Sequence, residues 1–229
     1  MERLLLEGGA EFGGRMSEPD LQAIQLAGGC DVPIVVLPTA AAPDRNHERA
    51  GRNALRWFSS LGASHIEVVP VIDKASANDS ALAQRIGLAR LIYILGGFPA
   101  YTATTLSGSR AWEAAMAACR DGAVLGGSSA GAMVLCQHLY DPEQGEVTPG
   151  LNVIPNACVL PHHNTFGRNW AARLTEALPD ALLIGIDEQT GMLTDDGGSW
   201  AVSGAGKITL YRAGDIQTYD SGQTFGLPG

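Results

Sequence analysis

Gly127-Ser128-Ser129-Ala130-Gly131 follows the apolar run AVLGG and precedes an apolar, helix-like stretch. A serine in that setting is placed to attack a carbonyl carbon. Small residues must flank it, because the chain reverses sharply under dihedral strain and substrate must come close. The same spelling also describes a glycine-rich strand-to-helix turn without chemistry, and the strand–turn–helix context favours Ser129 as a nucleophile. A serine hydroxyl needs a base at neutral pH. His47 at a helix start and His65 before a strand read as surface or capping residues, and His138 falls about two turns beyond the elbow on the following helix. His162 and His163 in VLPHHNTFGR come straight after a strand and so arrive at the same sheet edge as Ser129. Adjacent residues in an extended segment point to opposite sides, so one of the two is the base and the other is not.

A carboxylate at that edge would orient the imidazole and stabilise its charged form. LLIGIDEQT, 182–190, delivers Asp187 and Glu188 just after another strand. Chain order then separates fold families. The order serine, acid, histidine of α/β-hydrolases would need Asp141, Glu143 or Glu146, with too little chain before His162 for another strand and helix. The order Ser129, His162, Glu188 suits the strands better, which disfavours an ordinary lipase or esterase.

The elements that must position these residues follow from periodicity. Short β-branched runs at 33–38, 65–71, 90–95, 122–127, 157–161 and 182–186 have the length of buried parallel strands. Helical stretches at 18–28, 46–61, 78–88, 108–120, 130–139 and 168–178 alternate with them as a βαβ series requires. The expected fold is α/β, a three-layer α/β/α sandwich on a mostly parallel sheet. In 46–61, Ala50, Ala54, Leu55, Phe58 and Leu61 form the apolar face of an amphipathic helix. After about 190 the period changes to two; 191–194, 200–203 and 207–211, punctuated by TDDGGSW at 194–200 and SGAG at 203–206, read as antiparallel hairpins at the sheet's edge. Residues 140–156, with three prolines, read as a long loop.

The 229 residues, 45% hydrophobic, suit one domain over 1–229 with a single sizeable core. A net charge of −9 argues against a nucleic-acid or anionic-membrane partner. No apolar run has the ~20 residues of a transmembrane helix, and MERLLLEGG breaks too early for a signal peptide. Cys30, Cys119, Cys136 and Cys158 form no C-x-x-C pair and read as buried thiols in a reducing compartment, the cytoplasm. No H-E-x-x-H, P-loop or G-x-G-x-x-G occurs, so neither a metal nor another cofactor is expected.

Taken together, GGAE at 8–11, LPTAA at 37–41, LGG at 95–97, GGSSAGA at 126–132, GLNVIP at 150–155, LPHHNTFGRNWAARL at 160–174 and GIDEQTG at 185–191 resemble the serine peptidase family of cyanophycinase and aspartyl dipeptidase (dipeptidase E). That family shares its fold with class I glutamine amidotransferases. The resemblance implies Ser129 as nucleophile and His162 as base, because the family's histidine precedes an arginine by six residues, here Arg168. His163 then takes a position usually held by an aromatic residue. The family's acid falls in the GIDE segment, Glu188 first and Asp187 second, and backbone N–H groups of Gly97 and Ala130 would stabilise an oxyanion. Phe98 and Pro99 stand where the family carries Asn or Asp and then Gln, which implies a less polar substrate preference. Arg168 or Arg173 is the local cation that would hold a substrate carboxylate. The implied activity is a serine exopeptidase, dipeptidase- or cyanophycinase-like, cleaving a short peptide or isopeptide through an acyl-enzyme, by a monomer or homodimer. The alternative is an amidotransferase-like scaffold without catalysis that binds a small metabolite.

Overall fold

The computed structural model describes residues 3–194 and 198–227. Its larger sheet joins a parallel part to an antiparallel one. The parallel part consists of β1 (Arg3–Glu7), β5 (Val124–Ser128), β4 (Leu91–Ile94), β2 (Pro33–Leu37) and β3 (His65–Val68). On its β1 side the sheet continues antiparallel through β10 (Thr190–Thr194), β11 (Ser199–Gly204) and β14 (Thr224–Gly226). This is the expected α/β architecture, a mostly parallel sheet with antiparallel strands at its edge.

Period-two alternation divides the core between the two faces of that sheet. Leu5, Ile34, Val36, Leu91 and Tyr93 pack under α1 (Ser17–Ala27) and α2 (His47–Ser60), where Ile24, Ala54 and Phe58 are buried. Leu4, Leu6, Val35, Leu37, Ile92 and Leu125 face the other way. They pack with residues of α4 (Ser80–Gly87), α5 (Pro99–Leu106) and α6 (Arg110–Arg120), which follow the single turn α3 (Lys74–Ala77). Burying both faces is what lets β5 and β4 read as unbroken apolar runs.

Several elements differ from expectation for physical reasons. The three leucines of MERLLLEGG form β1, a central strand that is too short to stand out by period alone. The helix expected over 130–139 stops after one turn as α7 (Ala130–Met133). The chain then turns into β6 (His138–Asp141), which pairs with β7 (Glu146–Pro149), so the expected loop 140–156 contains a hairpin and His138 lies on a strand. The strands expected at 157–161 and 182–186, β8 (Ala157–Leu160) and β9 (Leu182–Ile186), leave the main sheet. They form a second one, β13-β12-β9-β8, with β12 (Lys207–Arg212) and β13 (Asp215–Asp220). Helix α8 (Ala171–Ala177) follows a 3-10 turn at Gly167–Trp170. The TDDGGSW turn lies partly outside the described residues.

The two sheets meet where β9 passes into β10. The Gly8 amide donates to the Thr190 carbonyl at 3.0 Å, and the Gln189 amide donates to that of Gly9 at 3.0 Å. The His162 amide donates to the Gly8 carbonyl at 2.7 Å. The carboxyl ends of β1, β4, β5, β8 and β9 thereby converge on one edge, the place where open α/β sheets hold their ligands.

Candidate active site

Ser129 sits at the abrupt turn between β5 and α7 with φ +50° and ψ −112°, a conformation few side-chain-bearing residues adopt. Neighbouring elements hold it there: its amide donates to the Glu7 carbonyl at 2.9 Å, and its carbonyl accepts from Ala132 and Met133 at 3.0 Å each. A Cβ on Gly127 would come within 2.3 Å of the Gly131 carbonyl oxygen and one on Gly131 within 2.1 Å of the Ile94 carbonyl oxygen, so the first and last glycines of the motif are both required by close approach of the backbone.

Ser129 Oγ lies 3.0 Å from His162 Nε2, and His162 Nδ1 lies 2.8 Å from Glu188 Oε1. The order Ser129, His162, Glu188 inferred from the strands is therefore also the order of the hydrogen bonds. His162 has φ +51° and stacks on Phe166 with ring centroids 4.8 Å apart. Its ring covers Gly9, where a Cβ would lie 2.3 Å from Cε1. The carboxylate is held as well: Asn164 Oδ1 accepts from the Glu188 amide at 2.9 Å, and Thr165 Oγ1 donates to Glu188 Oε1 at 3.4 Å.

The other member of each adjacent pair turns away. His163 is buried, with Nε2 2.8 Å from the Tyr211 hydroxyl and Nδ1 3.6 Å from Asp187 Oδ1. Asp187 Oδ2 accepts from the Lys207 amide at 3.1 Å. His163 fits against Gly185, where a Cβ would meet its ring at 2.5 Å.

Gly96 follows β4 beside the nucleophile: a Cβ there would lie 3.3 Å from Ser129 Cβ. Among the described residues no acceptor is bonded to the amide of Gly97 or of Ala130. Phe98 is half-buried and its amide donates to the Ala40 carbonyl at 2.8 Å. Pro99 is buried at the first position of α5, where a missing N–H costs nothing. Arg168 is exposed and lines a separate cavity with Thr175, Tyr211 and Asp215; no hydrogen bond or ion pair joins it to Ser129, His162 or Glu188. Arg173 lies over the Tyr140 ring and donates to the Gly145 carbonyl. Cys136 and Cys158 are buried thiols whose ionisation burial suppresses, Cys158 being pushed up to about 12, so neither can replace the serine.

Three acids beneath the elbow have no cationic partner among the described residues. Burial and the neighbouring Asp20 carboxyl hold Glu7 well above the carboxylate range, with the Tyr93 hydroxyl bonded to its Oε2. Burial pushes Asp20 up to about 7 although Trp57 Nε1 donates to it at 2.7 Å. Burial also pushes Glu11 up to about 7; its Oε1 accepts from the Gly96 amide at 3.2 Å, and its buried Oε2 has no hydrogen-bond partner. Sequence reasoning missed Glu11, Asn164, Thr165 and Phe166 as members of the site. Their only signal was membership in the GGAE and HHNTF segments.

The sequence model of peptidase family S51 matches residues 4–200. The chain belongs to peptidase family S51. A cyanophycinase of Synechococcus elongatus is 29% identical over 91% of this chain and 67% of its own length. One from Geminocystis herdmanii is 30% identical over 90% of this chain and 79% of its own. The crystal structure of a peptidase from an acI-B1 Actinobacterium superposes with a TM-score of 0.89 at 29% identity, covering 99% of this chain and 97% of that one. A Listeria monocytogenes protein described as a putative peptidase E shares the fold, with a TM-score of 0.62 at 15% identity over 96% of this chain and 98% of that one. This S51 member is a serine-type exopeptidase by family, and none of these relatives supports the non-catalytic scaffold. No helix among the described residues is long and apolar enough to cross a membrane.

Proposed function

We propose that Ser129, His162 and Glu188 are the catalytic residues of this peptidase and that the substrate is a short peptide or isopeptide. The observation that carries this reading is the unbroken chain of hydrogen bonds, 3.0 Å from Ser129 Oγ to His162 Nε2 and 2.8 Å from His162 Nδ1 to Glu188 Oε1. Ser129 Oγ adds to the carbonyl carbon while its proton passes to His162 Nε2, and Glu188 stabilises the imidazolium formed. The oxygen that becomes negative is received by the Gly97 and Ala130 amides, whose lack of a protein acceptor leaves them free for it. His162 then protonates the leaving amine, the C–N bond breaks, and an acyl-enzyme remains on Ser129. Water attacks that ester with His162 again as base. Phe98, half-buried beside the Gly97 amide, supplies an apolar surface for the substrate, whereas Pro99 acts by starting α5. Four cysteines without a disulfide suit a reducing, cytoplasmic setting.

The test is hydrolysis of a dipeptide and isopeptide panel, with amine release followed, by the wild type and by Ser129→Ala. Turnover that falls by about 10⁴-fold or more in the alanine variant is the expected result. Turnover that persists in Ser129→Ala would overturn the assignment.

A further inference from the structure

The GGAE segment, 8–11, borders the site and supplies none of its reacting groups. The Gly8 carbonyl accepts from the His162 amide at 2.7 Å, the Gly9 carbonyl accepts from the Gln189 amide at 3.0 Å, and the His162 ring lies over Gly9. Ala10 and Phe12 then take φ +59° and +65°, left-handed conformations that residues with side chains seldom adopt. Such strain persists only where surrounding contacts over-determine it. Phe12 is anchored among the rings of Trp57, Phe58 and Tyr93, with centroids 6.1–6.4 Å away. Between the two strained residues, Glu11 reaches the turn after β4, where its Oε1 accepts from the Gly96 amide at 3.2 Å.

The amides of that turn are accounted for one by one. Leu95 donates to the Leu37 carbonyl at 3.1 Å, Gly96 to Glu11 Oε1, and Phe98 to the Ala40 carbonyl at 2.8 Å. Among the described residues the Gly97 amide has no acceptor. Because each peptide is a rigid plane, fixing the amides on both sides of Gly97 restricts the direction in which its own N–H points. Gly97 itself has φ +139°, and a Cβ there would lie 2.2 Å from the Ala40 carbonyl oxygen, so the turn is closely packed on that side. On the other side Gly96 is wedged against the nucleophile: a Cβ on it would lie 3.0 Å from Glu11 Oε1 and 3.3 Å from Ser129 Cβ.

Leu37 and Ala40 hold the turn with backbone carbonyls, whereas Glu11 holds it with a side chain. Its Oε2 is buried without a hydrogen-bond partner, a cost that an apolar side chain of similar size would not carry. What the acid supplies in return is the acceptor for Gly96. Burial pushes Glu11 up to about 7, so acid and carboxylate are both populated near neutrality, and either form offers an oxygen to that amide.

We propose that Glu11 is a positioning residue for the oxyanion site, holding the Gly96 amide so that the Gly97 amide is aimed at the carbonyl oxygen of the group attacked by Ser129. It rests on the reading of Ser129 as nucleophile and of Gly97 as oxyanion donor, and adds the side chain that keeps that donor in place.

The experiment compares wild type, Glu11→Leu and Glu11→Gln on 4-nitrophenyl acetate and on its thiono analogue, in which sulfur replaces the carbonyl oxygen. Sulfur accepts hydrogen bonds poorly, so the thionoester gains little from an aimed amide. Glu11→Leu is expected to lower kcat/KM by about 10–100-fold on the oxygen ester and by less than about threefold on the thionoester. Glu11→Gln keeps an acceptor oxygen and should stay within about threefold of wild type on both. Equal losses on the two esters, a glutamine variant as slow as the leucine one, or a leucine variant as fast as wild type would overturn the assignment. Amide exchange in full-length Ser129→Ala protein needs no turnover and reads the tether by itself. The Gly96 amide should exchange at least about tenfold faster once Glu11→Leu is added, and an unchanged rate would overturn the tether. Faster exchange, combined with ester turnover that is absent in wild type or persists in Ser129→Ala, would sink the catalytic reading of Ser129 and still support the contact.

Discussion

Two histidine–carboxylate pairs stand side by side in this protein, His162 with Glu188 and His163 with Asp187, one residue apart on each strand end. The first pair opens toward Ser129: the side chains are 20% and 32% exposed, and the imidazole bridges a hydroxyl and a carboxylate at hydrogen-bond distance. The second is sealed at 7% and 8% exposure, with 3.6 Å between its closest atoms. Its histidine is anchored by Tyr211 and its acid by the Lys207 amide. The turn after β8 thus places one pair against Ser129, where the proposed chemistry would take place, and packs the other between β8, β9 and β12.

The two pairs are separated most strongly by removing each histidine in turn. His162→Ala should lower kcat by about 10⁴-fold or more, because the base is lost, with little change in melting temperature. His163→Ala should keep turnover within about tenfold. It should destabilise the fold by roughly 1–3 kcal/mol, because it leaves a cavity and an unpartnered Tyr211 hydroxyl. Steady-state kinetics and denaturant melts on the same preparations read both quantities. If His163→Ala alone abolished turnover in folded protein, the roles would be exchanged.

A smaller separation is expected between the acids. Glu188→Gln keeps shape but removes the charge that stabilises an imidazolium, so kcat should fall by about 10²–10⁴-fold with KM nearly constant. Asp187→Asn keeps an acceptor for the Lys207 amide and should cost less than about tenfold in kcat. Equal losses from the two substitutions would erase the distinction between the pairs.

A further contrast comes from acids that have no histidine at all. Asp20 and Glu11 are pushed by burial up to about 7, whereas in the unfolded chain they would titrate near 4. A raised folded pKa means that the native state binds the proton more tightly. The associated stability is full below about pH 4 and is lost as pH rises through about 7. Melting temperature should therefore fall between pH 4.5 and pH 7.5, and Asp20→Asn should flatten that fall while keeping an acceptor for Trp57 Nε1. Parallel melting curves for variant and wild type would show that Asp20 titrates normally.

Much of this arrangement is legible in the amino-acid sequence, because the signals are local. The reversal at Ser129 demands glycine and alanine neighbours, and strands β2, β4, β5, β8 and β9 announce themselves as short β-branched runs. Less local features are hidden. Strand β1 carries only three leucines, and its central place comes from pairing with β5 and β10, distant in the chain. The second sheet arises because β12 pairs with β9, which no period along the chain encodes. Glu11 joins the site only once the chain between β1 and α1 reaches Gly96, distant in the chain.

Sequence alone sets the chemistry available at this edge and its order: a nucleophile on a strained turn, then a histidine pair, then an acid pair, each delivered by a strand end. The expectation that each pair lies in extended chain does not hold: His162 sits at φ +51° in the turn after β8, and Glu188 lies in the turn after β9. Which member faces Ser129 depends on packing between distant segments. His163 fills the space that Gly185 leaves and meets Tyr211 from the second sheet, while His162 lies over Gly9 from the first. The turns that set these directions are held by contacts between distant segments, among them the His162 amide on the Gly8 carbonyl and the Glu188 amide on Asn164 Oδ1, which no pattern along the chain encodes.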